Sequence, residues 1–102
     1  MAERIRIVQR SEIPAGTGKV VVAEGKVLAV FNVEGKFHAV ENTCPHRGGP
    51  LGEGSLEGAV VTCPWHGWQF DVCTGASPRN PNVSVRCVPL EVQGDDVFLL
   101  TE

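Results

Sequence analysis

Apolar and polar positions alternate in short stretches along most of this 102-residue chain. Ile5 and Ile7 alternate with Arg4 and Arg6, the period-two signature of a strand with one buried face. Residues 19–23 form a β-branched run closed by Glu24-Gly25. Residues 26–33 follow, then Glu34-Gly35, then residues 36–41. Two apolar runs joined by a two-residue turn ending in Gly predict a β-hairpin. Beyond Asn42 the pattern breaks, and residues 42–58, rich in Gly and Pro, read as a loop. Residues 59–62 predict a short strand leading straight into Cys63, and residues 68–72 another. Residues 74–82, with Gly75, Pro78 and Pro81, are a second irregular stretch. Residues 83–93 and 97–100 close the chain as a hairpin around Gly94-Asp95-Asp96. Pro89 interrupts the first of these runs, which marks an edge or a bulge because proline has no N–H to pair.

No helical stripe, internal repeat or low-complexity segment competes with this pattern. Short strands separated by such turns predict an all-β fold, a small antiparallel sandwich or barrel. The loops ending at Cys44 and Cys63 then become functional tips on rigid strands. The length fits a single domain, 1–102, and the 42% apolar content is ordinary for a folded chain. Nine Lys and Arg against twelve Asp and Glu give a net charge of −3. That balance supplies no basic stripe for nucleic acid. The first ten residues mix charges with aliphatics and contain no secretory h-region, and no run approaches membrane-spanning length. A cytoplasmic chain is expected, so its four cysteines are not read first as disulfides.

The chemistry lies in Cys44-Pro45-His46 and, after sixteen intervening residues, Cys63-Pro64-Trp65-His66. Each segment offers one thiolate and one imidazole. A binuclear iron–sulfur cluster with two Cys on one iron and two His on the other needs two such pairs. If each loop gives its Cys to one iron and its His to the other, both loops clamp the whole cluster. The competing reading is a structural zinc site. Zinc modules pair like ligands as C-x₂₋₄-C and H-x₃₋₅-H, and Cys-x-His is a tight bite for one tetrahedral ion.

Cys44-Pro-His-Arg-Gly-Gly-Pro-Leu51 and Cys63-Pro-Trp-His-Gly-Trp68 resemble the two cluster-binding boxes of the Rieske family. The resemblance extends to Gly35-Lys-Phe-His-Ala-Val-Glu-Asn-Thr43 before the first box and Phe70-Asp-Val-Cys-Thr-Gly75 after the second. It implies an antiparallel β fold with a cluster-binding subdomain at about residues 42–82. It also implies one [2Fe–2S] cluster on Cys44, His46, Cys63 and His66, each imidazole leaving its outer nitrogen near solvent. The His-ligated iron is then the one that cycles, because neutral imidazoles leave less negative charge on it than thiolates do.

High-potential members of the family carry two further cysteines that bridge the loops, at the positions of Gly49 and Trp65 here. Their Ser and Tyr hydroxyls, which donate toward cluster sulfur, correspond to Trp68 and Phe70. Losing such donors disfavours the added electron, so a potential near the low end of the Rieske range, about −150 mV, is expected. The remaining resemblance is to soluble ferredoxins of multicomponent aromatic-ring dioxygenases. It implies a monomeric one-electron carrier between a flavin-containing reductase and a terminal oxygenase, with no nucleic-acid or membrane partner. A chain of this length is expected to carry no catalytic mononuclear-iron domain. The alternative within the family is the small subunit of assimilatory nitrite reductase. A zinc-stabilised interaction module is the alternative outside it.

Other residues admit plainer roles. Phe70 and Trp68 are expected in the core, while Trp65 suits either core or a docking surface. Gly48, Gly49, Gly52 and Gly67 suit close backbone approach to sulfide or ordinary turns. Pro78 and Pro81 sit where the family places a third loop over the cluster. Cys73 and Cys87 match no ligand pattern and are expected as buried apolar residues. His38 reads as a surface or structural histidine, and Glu53, Glu57, Asp95 and Asp96 as a solvated face.

Overall fold

Ten strands form three antiparallel sheets among the described residues, which are 3–23, 25–43, 49–65, 67–79 and 82–101 of a computed structural model. β1 (Glu3–Gln9) pairs with β10 (Asp96–Thr101), which pairs in turn with β9 (Leu90–Gln93). β2 (Gly18–Ala23), β3 (Lys26–Val33), β4 (Lys36–Glu41) and the two-residue β8 (Cys87–Val88) make the second sheet, in that order. β5 (Ser55–Glu57), β6 (Val60–Thr62) and β7 (Gln69–Asp71) make a third, smaller one.

The second sheet is the middle layer, and β3 shows why. Leu28, Ala29, Val30, Phe31 and Asn32 are all buried, so this strand is covered on both faces. Leu28 and Val30 face one core with Val8, Ile13, Val21, Phe37, Ala39, Val97 and Leu99, against the first sheet. Ala29 and Phe31 face a second core with Val40, Leu51, Val61, Cys63, Phe70, Val72 and Val85, against the small sheet. A strand buried on both faces reads as a continuous apolar run rather than an alternation, as residues 27–31 do. Each such fully buried Leu, Val or Phe contributes about 1.5–3 kcal/mol.

The β3–β4 hairpin has the expected boundaries. Its turn residues Glu34 and Gly35 both have positive φ, +52° and +91°, the type I′ geometry that matches strand twist. Asn32 secures the turn from below. Its buried side chain accepts from the Gly35 N–H at 2.7 Å and donates to the Ile13 carbonyl at 2.8 Å.

Two sequence expectations are corrected. Within the stretch read as one loop, residues 42–58, the structure has a 3-10 turn at Leu51–Glu53 and the strand β5. Three residues with a single apolar member, Leu56, are too few to show a period. The run 83–93, read as one strand, is divided: residues 83–86 lie outside the named strands, and Pro89 separates β8 from β9 in a different sheet. Without an N–H Pro89 cannot continue the ladder, while its carbonyl still accepts from the Leu100 N–H at 3.1 Å.

Candidate metal centre

The first box hangs from the end of β4, and its neck is tied by Asn42. This residue is buried, 8% exposed. Its backbone N–H donates to the Val27 carbonyl at 3.1 Å, anchoring it to the middle sheet. Its backbone carbonyl accepts from the Leu51 N–H at 2.7 Å, and its side-chain Oδ1 accepts from the Gly52 N–H at 2.7 Å. With the Thr43–Pro50 bridge, these bonds bring both ends of the loop together. Of this box's expected ligands and glycines, Cys44, His46 and Gly48 lie outside the described residues.

The second box leaves the end of β6 and is closed just as tightly. The Cys63 N–H donates to the Trp68 carbonyl at 2.7 Å, and the Gly67 N–H donates to the Cys63 carbonyl at 3.1 Å. Gly67 adopts φ +72°, which an L side chain rarely tolerates, so the short excursion can turn back. Cys63 itself is 2% exposed and joins the core facing the small sheet. His66 lies outside the described residues.

Gly49 shows how the boxes meet. A Cβ placed on it would lie 2.6 Å from the Cys63 Sγ and 3.3 Å from the Trp65 Cβ. The first loop therefore packs its backbone directly on the sulfur of the second, in a space only glycine fits. Gly49 and Trp65 also face each other, as expected of positions that carry a bridging cysteine pair elsewhere in the family. With neither residue a cysteine, hydrogen-bonded necks and packing remain to hold the loops. Trp65 is 58% exposed, whereas Phe70 is fully buried and Trp68 packs half-buried against the same core.

The chain after β7 crosses the same core. Val83 and Val85 pack on the cluster of side chains that contains Cys63. Its base is tied by the Val85 N–H to the Gly75 carbonyl at 2.7 Å and the Ser77 N–H to the Val83 carbonyl at 3.1 Å. Pro78 is exposed, and Pro81 lies outside the described residues.

The expectation of buried apolar roles for Cys73 and Cys87 is overturned. Both are exposed and free, one in the turn after β7 and the other on a two-residue strand at the sheet edge. Partial desolvation, then the negative charge of Asp71, pushes both thiols above the ordinary value of 9.0. Half-buried His38, on β4, places its Nε2 3.4 Å from the Cys73 Sγ. Sequence separation hid this contact: the two residues are 35 positions apart. Among the described residues, no three His, Cys, Asp or Glu side chains are grouped to hold a metal ion. Glu53, Glu57 and Asp95 are exposed as expected, and Asp96 is half-buried, paired with Arg6 at 2.8 Å.

A buried thiol against a glycine cradle, between two loops closed at their necks, fits a thiolate-bound metal cluster. The chain belongs to the Rieske [2Fe–2S] domain family, whose model matches residues 3–89. Its cofactor is accordingly a [2Fe–2S] cluster. The chain is 38% identical over 89 residues to the ferredoxin component of the naphthalene 1,2-dioxygenase system of Pseudomonas aeruginosa, covering 86% of each chain. It superposes with a TM-score of 0.85 and 36% identity on a chain in the complex of reduced oxygenase and oxidized ferredoxin in carbazole 1,9a-dioxygenase, over 94% of this chain and 91% of that one. The putative NADH-dependent nitrite reductase small subunit from Mycobacterium tuberculosis shares the fold, with a TM-score of 0.89 at 23% identity over 100% of this chain and 97% of that one.

Proposed function

We propose that this chain is a one-electron carrier that takes electrons from a flavin-containing reductase and delivers them to a terminal oxygenase. The observation that carries the reading is the contact of Gly49 with the Cys63 sulfur, which brings the two boxes face to face. On this reading Cys44, His46, Cys63 and His66 hold the cluster, two Cys on one iron and two His on the other. A bound cluster would supply a one-electron couple. The remaining residues position and tune it. The Asn42 clasp and the Cys63–Trp68 bond fix the two necks, so that little rearrangement accompanies electron transfer. Trp68 and Phe70 carry no hydroxyl to donate to cluster sulfur, which sets the potential toward about −150 mV. Trp65, exposed on the second loop, gives a partner an aromatic contact beside the electron's exit.

The chain is a carrier without acid–base or nucleophilic machinery of its own at the cluster, and the terminal oxygenase selects the substrate. We place it in the cytoplasm as a monomer with 42–82 as cluster-binding subdomain of one domain, 1–102. Among the described residues no helix is long and apolar enough to cross a membrane. The nitrite reductase alternative rests on shared fold alone, whereas ferredoxin relatives share both fold and more than a third of their residues.

The test is electron paramagnetic resonance on anaerobically purified, dithionite-reduced protein, with iron and zinc assayed on the same sample. A rhombic signal of low average g, with two irons per chain, is the expected result for mixed Cys and His ligation. A signal with the higher average g of an all-cysteine cluster would refute histidine ligation, and one zinc with no signal would refute the carrier.

A further inference from the structure

Outside the two boxes, one group of nucleophilic side chains converges from three separate elements. Cys73 lies in the turn after β7, Cys87 begins β8, and His38 lies on β4, whose Val40 pairs with Cys87. The Cys73 Sγ is 3.4 Å from His38 Nε2, within reach of proton transfer. The Cys87 Sγ is 3.9 Å from the Cys73 carbonyl oxygen. Backbone dimensions then bring that sulfur within about 6.5 Å of the Cys73 Cα. A disulfide then requires rotation of the two exposed side chains and adjustment of the turn to reach bonding geometry. A thiolate at Cys87 disfavours one at Cys73.

We propose that Cys73 and Cys87 form a thiol–disulfide exchange site, which a small disulfide such as oxidised glutathione converts to an internal disulfide with His38 as proton acceptor. His38, in the tautomer with hydrogen on Nδ1, takes the Cys73 proton at Nε2. The Cys73 sulfur attacks one sulfur of the glutathione disulfide; that S–S bond breaks, and one glutathione leaves with a proton. The Cys87 sulfur, losing its own proton, then attacks the Cys73 sulfur and releases the second glutathione. Two protein thiols are oxidised to one disulfide, and one glutathione disulfide is reduced to two thiols.

The site has a structural consequence. Residues 74–86 run between the two sulfurs, and Val83 and Val85 of that strap pack on the core that holds Cys63. A disulfide between residues fourteen positions apart closes the strap covalently at its base. It also ties the turn after β7 to β8, and through the β8 pairing to the middle sheet. Partial desolvation and Asp71 disfavour both thiolates, so attack by Cys73 depends on His38 accepting its proton. Cys73, Cys87 and His38 are none of them expected cluster ligands, and their exchange chemistry is independent of the carrier role.

The test equilibrates the cluster-loaded protein in glutathione buffers of graded reduced-to-oxidised ratio. Samples are quenched in acid, alkylated and mapped by mass spectrometry. The expected result is a Cys73–Cys87 linked peptide pair that accumulates as the buffer becomes oxidising and reverts on reduction. C73S and C87S should abolish it, with C87S retaining a glutathione adduct on Cys73. H38Q should form the link several-fold more slowly, while the visible spectrum of the cluster is unchanged throughout. Separate glutathione adducts on both cysteines without an internal link, or free thiols at every ratio, would overturn the site. A wild-type rate in H38Q would overturn the role of His38.

Discussion

Asn42→Ala removes the side chain that ties the neck of the first box while leaving the loop sequence intact. The Gly52 N–H, which now donates to Asn42 Oδ1 at 2.7 Å in a buried setting, loses its acceptor. Leaving such a group unpaired costs about 1–3 kcal/mol. For a domain of this size that lowers the melting temperature by roughly 4–8 °C per kcal/mol. Much of the loss falls on opening of the loop, where each 1.4 kcal/mol is about a tenfold change in the open population. The variant should therefore release its cluster roughly ten times faster than wild type, followed as bleaching of the visible absorption under a chelator. Asn32→Ala is the control. Asn32 makes two side-chain bonds, a buried one to Ile13 and a part-buried one to Gly35, which lie on other elements. It should lower the melting temperature at least as much as Asn42→Ala and accelerate cluster release far less. Equal acceleration in both variants would refute the clasp, because cluster loss would then follow global stability alone.

Gly49→Ala sets a methyl 2.6 Å from the Cys63 sulfur, so iron per purified chain should fall well below wild type while the apoprotein still folds. His66→Cys should lower the potential and move the electron paramagnetic spectrum toward a plant-type cluster; an assembled cluster with unchanged spectrum and potential would remove His66 from the ligand set. Cys73 and Cys87 have their ionisation pushed above 9.0, so at any pH below that they hold less thiolate than an ordinary cysteine. Their alkylation by iodoacetamide should lag a model thiol at pH near 8 and rise steeply only beyond 9.0, read by peptide mapping against pH.

The architecture was largely legible in the sequence because its longest strands announce themselves locally. The hairpin of β3 and β4 needs only two apolar runs and a Glu34-Gly35 turn, all within adjacent residues. The family was legible for the same reason: its Cys-x-His and Cys-x-x-His motifs are short and local. β5 was not legible, since its three residues pair with β6 and have no period of their own. The break at Pro89 was visible as a break, but not that β8 and β9 join different sheets. That assignment is decided by which strands lie alongside.

Identity and order along the chain thus determined the all-β class and the family, because hydrophobic period, turn residues and motif spacing are properties of neighbouring residues. Only the tertiary structure decided that Gly49 rests on the Cys63 sulfur, that Asn42 clasps the loop it precedes, and that His38 meets Cys73. Each of these contacts is made across a sheet or between separate elements. No local pattern encodes such meetings; they follow from packing both faces of the middle sheet at once.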